Sequence, residues 1–170
     1  REDVLKWHPG QDWLWQPGGM GVFDPGINAL SILTEILPVS VSVTQADLQI
    51  PENKSQPIAA TLTLEGPDLT GHANFDFRET GTEVWKIRLT SPNGECLTLS
   101  QGGAALQIGD GPVEREPEQE YRGLYNRFAQ LLSEGTREVD LQPLQLVADA
   151  FLCGTRHAVP AFHDPASVSI

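Results

Sequence analysis

The chain has 170 residues, 39% of them apolar, which is enough for one domain with a real core. Its 11 Lys and Arg are outnumbered by 23 Asp and Glu and never cluster, giving a formal net charge of −12. That balance excludes nucleic acid and an acidic membrane surface as partners and leaves room for a small neutral or cationic ligand.

The chain opens on Arg1-Glu2-Asp3-Val4 without an initiator Met or a signal-like apolar run, and is expected to be a piece of something longer. Arg1 to Trp7 is predicted as a short strand, and His8 to Gly19 as a long loop. Trp7, Trp13 and Trp15 fall close together in this stretch, and such rings are costly to leave in water. The loop therefore packs either on the domain core or on a ligand with a flat apolar face, such as a sugar ring.

Pro17-Gly18-Gly19-Met20-Gly21 then runs into an apolar helix on which Phe23, Ile27, Leu30, Leu33 and Leu37 follow the helical period. Asp24 and Asn28 are four apart and share one face of that helix, so a carboxylate and an amide point together beside its N-terminus. The plainer reading makes Asp24 the N-cap, with Pro25 in the first helical position and Asn28 solvated. Spacing alone leaves both open.

After Pro38 the pattern alternates. Val41 and Val43 are followed by Leu48 and Ile50 with a change of phase near Gln45, which predicts a bulge. Leu62 and Leu64, then Ala73, Phe75 and Phe77, then Trp85, Ile87 and Leu89, then Leu97 and Leu99, then Leu106 and Ile108 continue the strands. Short turn signals between them, such as Gly66-Pro67-Asp68 and Thr80-Gly81, predict antiparallel hairpins. Two helices close the chain, one with Tyr121, Leu124, Tyr125, Phe128, Leu131 and Leu132 on a stripe ending at Gly135, the other with Leu144, Val147, Ala148, Phe151 and Leu152 ending at Gly154. The tail from Ala158 is expected to be a short extended segment and a loose end. Cys96 and Cys153 have no Cys or His at metal-ligand spacing beside them, so no metal is expected and the thiols are assigned to the core of a cytoplasmic protein. The expected fold is α+β: a single domain over 1–170 with an open, predominantly antiparallel sheet of about six or more strands and helices packed on one face.

Pro17 to Leu30, Trp7-His8-Pro9-Gly10-Gln11 before it and Leu146-Val147-Ala148-Asp149-Ala150-Phe151 near the end resemble the C-terminal domain of the glucose-fructose oxidoreductase/inositol dehydrogenase family. Within it, the chain is most similar to the aldose 1-dehydrogenases that act on D-galactose or L-arabinose. The similarity runs over nearly the whole chain, and its most specific parts are Glu2-Asp3-Val4 to Gln11 and Asp24-Pro25-Gly26-Ile27-Asn28-Ala29-Leu30. Where the wider family has a His, this chain has Asn28, which fits the sugar 1-dehydrogenase branch and removes one imidazole from the acid/base groups.

The resemblance implies that an N-terminal Rossmann domain, absent from this chain, binds NAD or NADP and carries the family's catalytic Lys in a Glu-Lys-Pro motif. Consistently, no Gly-x-Gly-x-x-Gly follows a strand here, so the chain is expected to bind no cofactor, and Lys6, Lys54 and Lys86 are not given that Lys's role. The implied reaction is oxidation of an aldose to its lactone. Asp24 would take or stabilise the anomeric proton, Asn28, Glu2 and His8 would bind ring hydroxyls, and Trp85 would supply an apolar wall. His72, His157 and His163 are left as structural or exposed. The implied partners are the aldose and a second copy, paired through the sheet face bearing Asn74, Asp76, Lys86 and Arg88. The alternative is a non-catalytic sugar-binding or dimerisation module of the same descent.

Overall fold

The computed structural model describes residues 1–117 and 119–165, and the chain divides into two compact units. One is Arg1–Val84 with the segment from Gln142 on, and the other is Trp85–Leu141. In chain order the first unit contributes α1 (Val4–Trp7), α2 (Phe23–Ile36), β1 (Ser42–Pro51), β2 (Ala59–Gly66) and β3 (Leu69–Asp76). The second unit holds β4 (Lys86–Thr90), β5 (Cys96–Ser100), β6 (Ala105–Ile108), β7 (Glu114–Arg115) and α3 (Glu120–Glu134). The chain then completes the first unit with α4 (Gln142–Cys153) and β8 (Thr155–Val159).

The class is α+β with mostly antiparallel strands, as expected, but the strands form two four-stranded sheets and not one open sheet of six or more. The reason lies in residues 76–84. The Thr80-Gly81 signal predicts a hairpin, yet this segment pairs with the start of the chain: Glu2 N–H donates to Asp76 O (2.9 Å), Val4 N–H to Phe77 O (3.1 Å) and Val84 N–H to Arg1 O (2.9 Å). Backbone groups satisfied in that way are not available to a neighbouring strand. Arg1 to Trp7 departs from the predicted strand for a related reason. Asp3 bridges Arg78 and then turns the chain into α1, its carboxylate accepting from Leu5 N–H at 3.0 Å in an N-cap.

The first sheet has the order β3-β2-β1-β8, antiparallel except that β8 runs parallel to β1. The predicted phase change is a bulge between Val43 and Gln45, and it keeps Val43, Ala46 and Leu48 on the buried side. Ala60, Leu62 and Leu64 join them, and α2 and α4 cover that face through Phe23, Leu30, Leu146, Val147 and Ala150. At Gly26 a Cβ would come within 3.1 Å of the Phe75 ring, so a glycine there lets α2 lie close on β3. Burying a side chain such as Phe23, which is fully enclosed, contributes about 1.5–3 kcal/mol. The stripe of α4 is rotated from the expected one: Pro143, Leu146, Val147 and Ala150 are buried while Leu144 and Leu152 are exposed. The helix carries apolar residues on more than one side, and only packing on β1 and α2 decides which are covered.

The opposite face of this sheet presents Asp47, Thr61, His72 and Asn74 to solvent, with His157 Nε2 and Asp47 Oδ1 2.9 Å apart. The face proposed for pairing is not a single one: Asn74 and Asp76 stand on the first sheet, Lys86 and Arg88 on the second. The short extended segment expected at the start of the tail is the end of β8 (Thr155–Val159), and the loose end expected toward Ile170 reaches outside the described residues.

In the second unit β4-β5-β6-β7 is wholly antiparallel, and α3 ends where Gly135 adopts φ 61° and caps Leu131 and Leu132 carbonyls. Its stripe of Tyr121, Leu124, Tyr125, Phe128 and Leu132 is exposed. Neither cysteine is core: Cys153 is exposed and Cys96 half-buried. Arg88 Nε donates to Cys96 Sγ at 2.9 Å, and that bond holds the thiol below its usual range. Among the described residues no helix is long and apolar enough to cross a membrane.

Candidate functional site

Four of the five residues singled out from sequence, Glu2, His8, Asp24 and Asn28, lie in the first unit, and Trp85 is the first residue of the second, where it is half-buried. The four form two pairs built by different means.

Asp24 and Asn28 are paired by helix geometry. The helix starts at Phe23 with Val22 as N-cap, which makes Asp24 its second residue and not its cap. A first-turn carboxylate is favoured there by the helix dipole. Asp24 is half-buried and Asn28 exposed, and among the described residues neither side chain makes a hydrogen bond. One turn apart on one face, they offer an acceptor and a mixed donor/acceptor to a common ligand. Phe23, the neighbour of Asp24, fixes the helix start by packing edge-on against Phe75 (5.8 Å) and Phe151 (5.3 Å).

Glu2 and His8 are paired by a direct bond. His8 Nε2 and Glu2 Oε1 are 2.9 Å apart, with both side chains 17% exposed. The other ring nitrogen, Nδ1, meets the Gln11 side-chain amide at 3.3 Å, and the ring leans on Phe77 at 5.6 Å. Gln11 was not legible as a site residue, although its position three after His8 across a Pro-Gly turn was the available signal.

Beside Glu2, Arg78 forks both carboxylate oxygens of Asp76, from Nε at 2.9 Å and Nη2 at 2.8 Å. Burial pushes the Asp76 carboxyl up, but the Arg78 side-chain and backbone bonds outweigh it and hold Asp76 below its usual value. The end of β3, to which Glu2 is bonded and which Phe77 follows, is thereby fixed.

The tryptophans separate. Trp15 is buried, edge-on to Phe77 (5.7 Å) and against Phe162 (5.3 Å), with Lys54 Nζ 5.6 Å from its ring, while Trp7 and Trp13 are about half exposed. Trp15 is thus core, and the other two are free to meet a ligand or a protein surface.

The glycine-rich loop was tested as a nucleotide cradle and does not fit. Gly19 N–H donates to Gln16 O (2.9 Å), Gly21 N–H to Leu14 O (3.0 Å) and Val22 N–H to Pro57 O (2.8 Å), so the amides that would meet a pyrophosphate are spent inside the fold. The Asp24 carboxylate next to them would also repel phosphate.

The chain matches no family model. It is 49% identical over 166 residues to a galactose 1-dehydrogenase of Pseudomonas fluorescens, covering 96% of this chain and 54% of that one. The solved D-galactose-1-dehydrogenase of Rhizobium etli is 54% identical with a TM-score of 0.91, over 96% of this chain and 52% of its own. KijD10, a 3-ketoreductase from Actinomadura kijaniata solved with NADP and TDP-benzene, shares the fold alone, at 14% identity and a TM-score of 0.66 over 84% of this chain and 50% of its own. The chain spans about half the length of the curated relative it matches.

Proposed function

We propose that the chain belongs to the glucose-fructose oxidoreductase/inositol dehydrogenase family, on the side of the galactose 1-dehydrogenases, and is the sugar-binding half of an NAD(P)-dependent aldose 1-dehydrogenase. What carries this reading is 54% identity, with a TM-score of 0.91, to a D-galactose-1-dehydrogenase over 96% of the chain. The same identity favours an enzyme over a non-catalytic module.

The substrate is D-galactose or a similar aldose, L-arabinose among them, oxidised at the anomeric carbon to the lactone. The anomeric C–H bond breaks with its electron pair leaving as hydride, the hydroxyl proton departs, and the C=O of the lactone forms. A nicotinamide held by residues outside this chain supplies the hydride acceptor. Asp24 takes or stabilises the proton, together with a Lys of the nucleotide-binding half, because an unbonded carboxylate at this position is free to accept it. Asn28 donates to one ring hydroxyl and accepts from its neighbour. Glu2 and His8 bind as a unit: Glu2 orients the ring and keeps a second carboxylate oxygen for a hydroxyl. The enzyme works in the cytoplasm, where the free thiols of Cys96 and Cys153 stay reduced.

The amides of the glycine-rich loop are spent inside the fold, away from any nucleotide. The 170-residue chain alone is expected to bind no nicotinamide dinucleotide and to turn over no sugar, which calorimetry with NAD and NADP reads directly. Binding in the micromolar range would place the nucleotide site in this chain and sink the two-half reading.

A second copy is the further partner, docked on the polar outer face of the first sheet around Asp47, Thr61, His72 and Asn74. Sedimentation of the enzyme at tens of micromolar is expected to give a dimer, lost when Thr61 and Asn74 are both replaced by Arg. A monomer at that concentration contradicts the pairing.

A further inference from the structure

The loop that carries His8 and Gln11 has little regular structure of its own, being a turn followed by a single 3-10 turn over Asp12–Trp15. It has backbone bonds of its own, Gln11 N–H to His8 O (3.2 Å) and Asp12 N–H to Gly10 O (3.0 Å), and two segments distant in sequence add to them. The hairpin connection after β1 holds its far end, Ser55 N–H donating to Trp15 O and Gln56 Nε2 to Gln16 O, both at 3.0 Å. The near end is held by the tail beyond β8. Asp164 Oδ2 accepts from Gly10 N–H at 2.8 Å, and Gly10 lies between His8 and Gln11. The tail is itself fixed at Phe162, whose carbonyl accepts from Asn53 Nδ2 (2.8 Å) and whose N–H donates to Asn53 Oδ1 (2.9 Å). The Phe162 ring completes the contact on Trp15.

We infer that residues 160–164 are a strap holding the His8–Gln11 turn, with Asp164 a positioning residue for the Glu2–His8 pair. Gly10 has φ 70°, a left-handed conformation that glycine reaches readily but does not need to keep. The bond from Asp164 to its N–H selects that conformation, and with it the direction of Gln11 toward Nδ1 of His8. Without the strap the turn samples other conformations, the Gln11 contact at 3.3 Å is lost for part of the time, and the His8 ring is left with Glu2 and Phe77 to hold it. Asp164 is assigned no contact with the sugar. It acts through Gly10 on the residues that do.

This rests on the proposed sugar site, and its test uses two readouts so that the two can fail separately. In the intact enzyme, Asp164→Ala is expected to raise KM for D-galactose about tenfold with kcat within about twofold, whereas Asp164→Asn, whose amide oxygen still accepts from Gly10 N–H, restores KM to near the parent value. Asn53→Ala, which frees the strap at its other anchor, is expected to raise KM in the same direction. The second readout is the His8 ring resonance in labelled enzyme, sharp in the parent and in Asp164→Asn, shifted and broadened in Asp164→Ala. A folded Asp164→Ala enzyme with unchanged KM and an unchanged His8 resonance overturns the strap, as does a variant that only melts lower. If the parent enzyme oxidises no aldose while the His8 resonance still follows Asp164, the strap stands and the sugar reading falls.

Discussion

Asp24→Ala is expected to lower turnover by about 100- to 10,000-fold, the range for loss of a group that handles a proton in the transition state. That corresponds to roughly 3–5 kcal/mol of transition-state stabilisation. The competing role is structural, and the geometry bounds it. Because Val22 and not Asp24 is the N-cap, the carboxylate makes no capping bond, and what it gives the helix is a first-turn charge worth about 0.3–1 kcal/mol. A purely structural Asp24 would therefore leave the rate per folded molecule alone and lower the melting temperature by a few degrees. Asn28→Ala separates binding from chemistry on the same helix face: loss of a hydroxyl partner raises KM, with the smaller effect on kcat. Steady-state kinetics on the two variants, normalised to folded protein, read the difference, and near-normal turnover by Asp24→Ala would return that residue to a structural role.

The largest expected effect on stability belongs to Gly21→Ala. Gly21 has φ 54°, which costs an L residue about 1–2 kcal/mol. A Cβ there would also lie 2.3 Å from the Pro57 carbonyl oxygen, a backbone atom fixed by the bond it accepts from Val22 N–H at 2.8 Å. Relieving that overlap adds about 1–3 kcal/mol, for a total of roughly 2–5 kcal/mol. At about 2–4 °C per kcal/mol for a protein of this size, thermal unfolding should move down by roughly 4–20 °C. Gly18→Ala is the control, since Gly18 is also left-handed (φ 91°) but open space surrounds its Cβ position. It should show only the conformational part of the loss. Equal melting temperatures for Gly21→Ala and the parent would mean that the junction between Pro57 and α2 gives way freely, and that Asp24 is not held as described.

Local signals were legible in the sequence wherever a short-range rule decided the outcome. The bulge after Val43, the cap at Gly135 and the shared face of Asp24 and Asn28 each follow from a handful of neighbouring residues. Long-range competition was not legible. The pairing of residues 76–84 with the first residues of the chain removed a hairpin that Thr80-Gly81 otherwise predicts, and nothing near Gly81 signals it. The Asp164 to Gly10 bond spans 154 positions and left no local trace. Asp3 is the exception among the misses, because a capping residue before Val4 announces α1, and reading Arg1 to Trp7 as a strand passed over it. At the candidate site, residue types pointed to Glu2 and His8 only through family resemblance; their contact at 2.9 Å adds that they are paired in the fold.

The most direct measurement joins this chain to its nucleotide-binding half and follows D-galactose oxidation with NAD and with NADP, assaying reduced nicotinamide and sugar product together. Expected is one lactone formed for each nicotinamide reduced, with the yield falling with turnover in Asp24→Ala. A joined enzyme that is folded and binds the nucleotide, yet forms no lactone from D-galactose, L-arabinose or any other aldose, would contradict the assignment of this chain as the sugar-binding half of an aldose 1-dehydrogenase.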